Sequence, residues 1–420
     1  MIKDLILNNN YMEWLNKFTE KYNSFDDVYF IHNNKLKDED LIFIERLKEL
    51  FVELNKYAVK NNLIDKNIFN YVLNYKDKNY YISFNGECFS CDVVDNTKDI
   101  PIIDYKKFKK LYEKNMQDNF SKLDKRVYDT LKSTDLDKIN YNLNSIKGPT
   151  LVSGVGGSNV VSEFASKVLT EKNKIITRNT EPRDFKYINT NLYKNVLACS
   201  YSGNNYGVEL AFLNNLKHYL LASKENKGKD IINLTYNNND KEKSFISLGA
   251  TLIPCSVLLN YYLGKNLNHN ILDLLEEYKY NFNTDCDAYE IFTGIDTSTA
   301  SNYLESTMVE SGIGIRIVHD KYSYCHGRST LSTKKNNIAI YLKHKLNTTE
   351  LDELLLQELP KYYKDVIVLD SCSSNILGEY NLLIQSMYLT KYIAEQKEKD
   401  LSGVDYSPIV KKLYYFKGDL

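Results

Sequence analysis

Residues 149–169 read PTLVSGVGGSNVVSEFASKVL, and residues 196–216 read VLACSYSGNNYGVELAFLNNL. Both follow one plan. Thr150 to Val152 is an apolar run short enough for a buried strand, and Gly154-Val155-Gly156-Gly157-Ser158 is a turn of small residues. Apolar side chains at 160, 161, 164, 165, 168 and 169 then fall on one face of a helix over Val160–Leu169. In the second stretch Val196–Cys199 is the strand, Ser200-Tyr201-Ser202-Gly203-Asn204-Asn205 the turn, and Tyr206–Leu216 the helix. Two strand–loop–helix units place backbone N–H groups and hydroxyls at two helix N-termini, an arrangement that suits a phosphate group. A dinucleotide fingerprint would need a glycine at 159, where this chain has Asn159, so no such cofactor is expected. The plain structural alternative is that small residues merely close tight β–α turns, as in any α/β domain.

Working outward, 420 residues allow two or three domains, and a hydrophobic content of 43% is ample for their cores. Lys and Arg number 54 against 55 Asp and Glu, a net charge of −1. No basic run is interleaved with aromatics, so nucleic acid is not an expected partner. No apolar stretch reaches the length of a membrane span, and MIKDLILNNNYMEW has no signal-peptide pattern. A soluble, cytoplasmic protein is therefore expected. The seven cysteines are an odd number, mostly in apolar runs, as free buried thiols are. Cys88 and Cys91 form a lone C-x-x-C with no second pair, so an ordinary hairpin is expected there and no metal site.

The chain before the first stretch divides into a module over 1–100 and a helical lead-in over 101–145. In the module, Asp38–Lys60 has the apolar spacing of a helix, and Asn79–Val94 that of a hairpin around Asn85-Gly86. The first α/β domain is expected over 146–270, with further strands at Lys174–Thr177, Tyr219–Ala222 and Asp230–Leu234, and a buried helix within 242–263. A polar helical bridge over Lys265–Asp287 leads to a second α/β domain ending at 420. Its strands are expected at Glu290–Gly294, Ile338–Leu342 and Val366–Leu369, its helices at Asp296–Gly312 and Glu379–Lys397. Repetition of βα units in two halves gives an α/β fold of two doubly wound domains in tandem, preceded by a small, mainly helical α+β module.

SYSGNN, residues 200–205, resembles the S-x-S-G-x-T phosphate loop of the sugar isomerase (SIS) domain family. The resemblance implies that Ser200, Tyr201, Ser202, Gly203 and Asn205, with Gly156, Gly157 and Ser158, grip a sugar phosphate. Asn205 stands where the family has Thr. Glu242 and Ser247 match the E-x-x-V-A-S-T segment of the SIS half of glucosamine-6-phosphate synthase, which adds Ser247 to the candidate binding residues. The stretch ESTMVESGIGIRIVHDKYSYCHGRST places Glu310 and His326 sixteen residues apart, with Gly327 and Arg328 following. Tandem-SIS enzymes resembling the synthase carry a Glu and a His at about that separation. In them the Glu moves a proton between C1 and C2, and the His assists ring opening from the partner subunit. That implies a homodimer with Glu310 and His326 as catalytic residues; Arg328 beside them is either a phosphate ligand or the partner of an acid.

A carboxylate and an imidazole are also what the chemistry needs, since both exchange protons near neutral pH. Glu305 is an alternative base, and His319 reads as a strand-end residue after the apolar run IGIRIV. The C-terminal DLSGVDYSPIVKKLYYFKGDL resembles the family's closing segment, with Asp405 and Pro408 before Lys411-Lys412; Lys412 is taken as the lysine facing the sugar. The chain departs from the synthase in lacking an N-terminal cysteine nucleophile and in having Thr307 where the synthase has Lys, so glutamine-dependent ammonia transfer is not expected. An aldose–ketose isomerase of a sugar phosphate is the leading expectation. A deglycase splitting a sugar phosphate from an amine and a non-catalytic sugar-phosphate sensor are the alternatives.

Overall fold

The computed structural model describes strands at 29–32, 70–75, 78–84, 88–93 and 102–104. From there it describes residues 120–237, 246–264, 271, 274–331, 336–344, 348–371, 373, 375–399 and 401. The chain forms two compact units, one comprising Met1–Met116 with Gly403–Leu420, the other Gln117–Ser402.

In the first unit the described residues form one five-stranded sheet. Its strands are β1 (Tyr29–His32), β2 (Asn70–Tyr75), β3 (Lys78–Phe84), β4 (Cys88–Val93) and β5 (Ile102–Asp104). The order is β1-β4-β3-β2-β5; the inner pairs are antiparallel and both edge strands are parallel to their neighbours. β3 and β4 are the hairpin expected around Asn85-Gly86, with Phe84 opposite Phe89. The helix expected over Asp38–Lys60 lies outside the described residues.

The second unit opens with helices α1 (Leu123–Ser133) and α2 (Leu136–Asn144). A parallel sheet follows, of β6 (Thr150–Ser153), β7 (Thr177–Asn179), β8 (Asn195–Cys199), β9 (Lys217–Ala222) and β10 (Ile231–Thr235), in the order β10-β9-β8-β6-β7. Helices α3 (Gly157–Asn173), α4 (Tyr206–Ala211) and α5 (Gly249–Leu263) belong to it. Alternate strand residues serve opposite faces. Val152, Leu197, Cys199, Tyr219 and Leu221 join a core with Phe164 and Leu252 of α3 and α5. Leu151, Val196, Ala198 and Leu220 join Phe185, Val208 and Ala211 on the other side. A sheet buried on both faces reads as unbroken apolar runs, which is why these short strands carry no alternation. α5 is buried on nearly every side.

The second parallel sheet comprises β11 (Ala288–Thr293), β12 (Ile315–Asp320), β13 (Ile338–His344) and β14 (Asp365–Ser371), in the order β12-β11-β13-β14. Its helices are α6 (Ser298–Glu310), α7 (Lys321–Cys325), α8 (Glu350–Glu358) and α9 (Asn375–Gln396). Counted from its own first strand, the first sheet runs 2-1-3-4-5 and the second 2-1-3-4, so the same winding occurs twice. α3 packs against α5 and α6, and α6 against α9.

Of the helical bridge expected over Lys265–Asp287, residue 271 is helical and 274–287 is irregular. The reason is side-chain alternation. Tyr278, Tyr280 and Phe282 turn to α9, where the Asn381 amide donates to Tyr278 (2.6 Å), Tyr280 donates to the Gln385 carbonyl (2.8 Å) and Phe282 meets the Tyr392 ring at 5.0 Å. Anchoring every second residue on one helix demands an extended chain. Of the cysteines described, Cys199 and Cys255 are buried, Cys286 partly so and Cys325 exposed, all as free thiols.

Leu197 is fully buried in a central strand, whereas Leu192 is 67% exposed. Leu197→Ala should cost about 2–5 kcal/mol in urea unfolding and Leu192→Ala within about 0.5 kcal/mol of none. Equal small losses would contradict a two-faced core.

Candidate functional site

β6 and β8 are neighbours in register, Thr150 beside Asn195 and Ser153 beside Ala198. Their carboxyl ends mark the point where the strand order reverses, the usual crevice for ligands in open parallel sheets. The loop after β6 turns through Gly156 at φ +58°, with the Asn159 amide donating to the Gly156 carbonyl at 2.8 Å. In the loop after β8, Ser200 is buried and its Oγ accepts from the Gly203 amide at 3.1 Å. The Tyr201 carbonyl accepts from Ser223 Oγ at 2.7 Å, and the Gly203 carbonyl from Asn226 Nδ2 at 2.9 Å. Asn205 Oδ1 caps α4 by accepting from the Val208 amide at 3.0 Å. Asn and Thr both cap helices, so Asn205 fills that structural role without a hydroxyl. Ser202 is left exposed.

Three separate stretches meet here. A Cβ on Gly157 would fall 3.2 Å from Ser247 Oγ, and one on Gly207 only 2.5 Å from Val155 Cγ2. The loops at 154–158 and 200–207 and the lead into α5 therefore touch one another only because these positions carry no side chain. Ser247 Oγ in turn lies 2.7 Å from Thr251 Oγ1.

A cleft of about 390 Å³ opens beside Gly156, lined also by Asn159 of α3, Asn179 at the end of β7, and Asn302, Glu305 and Ser306 of α6. α6 runs opposite to α3. Near its start Ser298 Oγ donates to Glu163 Oε1 (2.6 Å), well inside α3, while its middle faces α3's first turn. Glu310, the last residue of α6, thus lies one turn beyond the cleft wall. Ser306 Oγ donates to Glu310 Oε1 at 3.0 Å. Burial lifts the Glu310 carboxyl above the ordinary carboxylate range; the Ser306 hydrogen bond opposes this and the charge of Glu305 adds to it. A carboxylate so placed takes up a proton more readily than an ordinary glutamate. Glu305 itself lies 3.5 Å from Arg316 Nε.

No family model matches the sequence, and no curated protein matches it. Among solved structures, the chain is similar to the C-terminal domain of glucosamine-fructose-6-phosphate aminotransferase from Francisella tularensis. The two are 14% identical, with 69% of this chain and 97% of that one covered and a TM-score of 0.55. Tagatose-6-phosphate ketose/aldose isomerase from Escherichia coli gives 14% identity, 71% and 96% coverage and a TM-score of 0.55. Glucosamine-6-phosphate deaminase from Thermotoga maritima gives 15%, 68% and 96%, and 0.54. The fold is that of the SIS proteins.

Within this SIS fold the remaining candidates fall in different places. His326 caps the C-terminus of α7 on an exposed turn, its amide donating to the Ser323 carbonyl at 3.2 Å. Arg328, also exposed, donates from Nη1 to the Val318 carbonyl at 3.2 Å. Among the described residues, no hydrogen bond or ion pair joins either side chain to the two loops or to Glu310. His319 belongs to the core. Its Nε2 pairs with Glu290 Oε2 at 2.9 Å, and Glu290 also accepts from Asn337 (2.6 Å) and Tyr363 (2.5 Å). Glu242, Asp405, Pro408, Lys411 and Lys412 lie outside the described residues. Among the described residues no group of His, Cys, Asp or Glu could hold a metal ion, and no helix is long and apolar enough to cross a membrane. The carboxamides of Asn159, Asn179 and Asn302 escaped the sequence reading. Their one signal was Asn159 and Glu163, polar and four apart on a helix otherwise read for its apolar face.

The two serines of the second loop should separate in experiment. Ser200→Ala removes a buried acceptor and should cost about 1–2 kcal/mol of stability, while Ser202→Ala should leave thermal unfolding unchanged. Equal effects on unfolding would show that the loop is not built as described.

Proposed function

We propose that the Gln117–Ser402 unit is two SIS-type domains in tandem that bind a phosphorylated sugar, and that the chain is an aldose–ketose isomerase. The observation that carries this is the tie from the cleft at Gly156, through Ser306, to the half-buried Glu310 carboxylate. In this reading the phosphate sits against the loops at 156–158 and 200–205. Ser200 Oγ accepts from the Gly203 amide, which leaves its own proton for an anion oxygen, and Ser158, Ser202 and Ser247 offer further hydroxyls. The amides around Gly203 add donors, and Asn205 holds α4 in place behind them. The sugar extends from there past Gly156 toward Glu310.

Glu310 takes the proton from C2 of the open-chain aldose and returns it to C1 through an enediol; from the ketose the same group takes a C1 proton and returns it to C2. His326, exposed on its turn, acts on the ring oxygen of a sugar bound to a second copy of the chain, so the working form is a homodimer. Arg328 beside it steadies the phosphate, and Lys412 approaches the C1–C2 region. Within the Gln117–Ser402 unit the two domains are 146–270 and 271–402; the N-terminal module reaches past residue 100, because β5 at Ile102–Asp104 pairs with β2. No cofactor is required for proton transfer, and the composition fits the cytoplasm.

Glu310→Gln keeps the shape and removes the base. Exchange of a C1 proton of fructose 6-phosphate or tagatose 6-phosphate with solvent deuterium, followed by NMR, should fall by a factor on the order of 10²–10⁴, while sugar-phosphate affinity changes little. Because the base works ionised and its carboxyl is raised, the acid limb of the rate should lie above the ordinary glutamate range. Equal exchange in both proteins would remove Glu310 from the mechanism.

Ser202→Ala should weaken sugar-phosphate binding by about 1–3 kcal/mol, read by thermal-shift titration. Unchanged affinity would show that the exposed hydroxyl does not meet the phosphate.

A further inference from the structure

The helix that carries Glu310 has no cap of its own. Thr297 precedes α6 without a capping side-chain bond, and the first turn holds no acidic residue. Thr297 Oγ1 is turned back to accept from the Gly294 amide at 3.0 Å. The orphan amide of Thr299 is met from another helix: it donates to Glu379 Oε1 of α9 at 2.6 Å. Glu379 is 1% exposed, and the same oxygen accepts from Lys167 Nζ of α3. Its other oxygen lies 4.0 Å from His344 Nε2. The His344 ring is itself fixed, with Nε2 donating to the Asp296 carbonyl at 2.9 Å and Nδ1 2.8 Å from Ser371 Oγ. A carboxylate at a helix N-terminus meets both the unpaired amides and the positive end of the helix dipole. Burying that charge is tolerable because Lys167 accompanies it.

The pair connects the two walls of the cleft. Lys167 is on α3, which contributes Asn159 to one wall; Thr299 begins α6, which contributes Asn302, Glu305 and Ser306 to the other. We infer that Glu379 and Lys167 are positioning residues for Glu310, fixing α6 against α3 and so setting where its carboxylate stands; this rests on the reading of Glu310 as the base. Thr299 and Glu310 are eleven residues apart on one continuous helix, about 16 Å at 1.5 Å per residue. A helix transmits an axial shift along its length, so loosening the first turn moves the last residue. The Ser306–Glu310 bond moves with α6 and offers no separate anchor.

The test needs no substrate. In protein carrying ¹³C-labelled glutamate, the Glu310 carboxyl resonance is assigned from its loss in Glu310→Gln and titrated in wild type, Glu379→Gln and Lys167→Met. Glu310 should titrate above the ordinary range in wild type and move back toward it in both variants. Amide exchange in 298–310 should rise as well. Lys167 is partly exposed, so Lys167→Met carries the test if Glu379→Gln does not fold. With fructose 6-phosphate, the same variants should lose up to about 10²-fold in kcat, the scale of a roughly 1 Å misplacement, while KM moves little. An unchanged Glu310 titration in variants whose α6 exchanges faster, or whose melting temperature falls, would overturn the inference and leave the pair as a stabilising contact only. If Glu310→Gln retains full proton exchange on fructose 6-phosphate, the base assignment fails, and the titration still decides whether Glu379 and Lys167 position that side chain.

Discussion

Parallel pairing of β6 with β8 is the constraint on which the candidate site depends. Two parallel strands point their carboxyl ends the same way, so the loops that follow them emerge side by side. With both faces of the sheet buried, those loops have only the crevice above the strand ends to occupy. Gly157 and Gly207 then permit the backbone of one loop to reach Ser247 and the other to reach Val155. Separate residues at 156–158, 200–205 and 247 become one surface for that reason.

The second sheet repeats the winding but uses its strand ends differently. Around the ends of β13 and β14 and the turn before α6 stand the protein's own polar groups, His344, Ser371 and the buried Glu379 carboxylate. A buried carboxylate thus takes the first-turn amide of the helix that follows β11. The consequence is a division of labour: one sheet presents loops, the other anchors the helix whose far end bears Glu310.

Much of this was legible in the sequence, because the Gly/Ser turns and apolar runs around 150–216 encode a strand–loop–helix plan whatever the distant packing. Glu310 at a helix end and His319 near a strand end also followed from periodicity and burial. The irregular segment at 274–287 was misread as helical because its polar residues mask an alternation of Tyr278, Tyr280 and Phe282, which has meaning only once α9 is there to receive them. The same holds for Glu379. A glutamate in a long helix reads as solvated, and nothing local reveals that Thr299, eighty residues earlier, lacks a cap. Asn205 is the opposite case: it departs from the family loop, and its bond to the Val208 amide shows that it serves there as the helix cap.

The central claim is that one crevice, above the ends of β6 and β8, receives a sugar phosphate with its far end toward Glu310. A crystal structure with fructose 6-phosphate bound tests it most directly. The account requires the phosphorus between the loops at 156–158 and 200–205, and C1, which carries the transferable proton in this ketose, within reach of the Glu310 carboxylate. A phosphate bound at the strand ends of the second sheet, or a sugar lying away from α6, would contradict it.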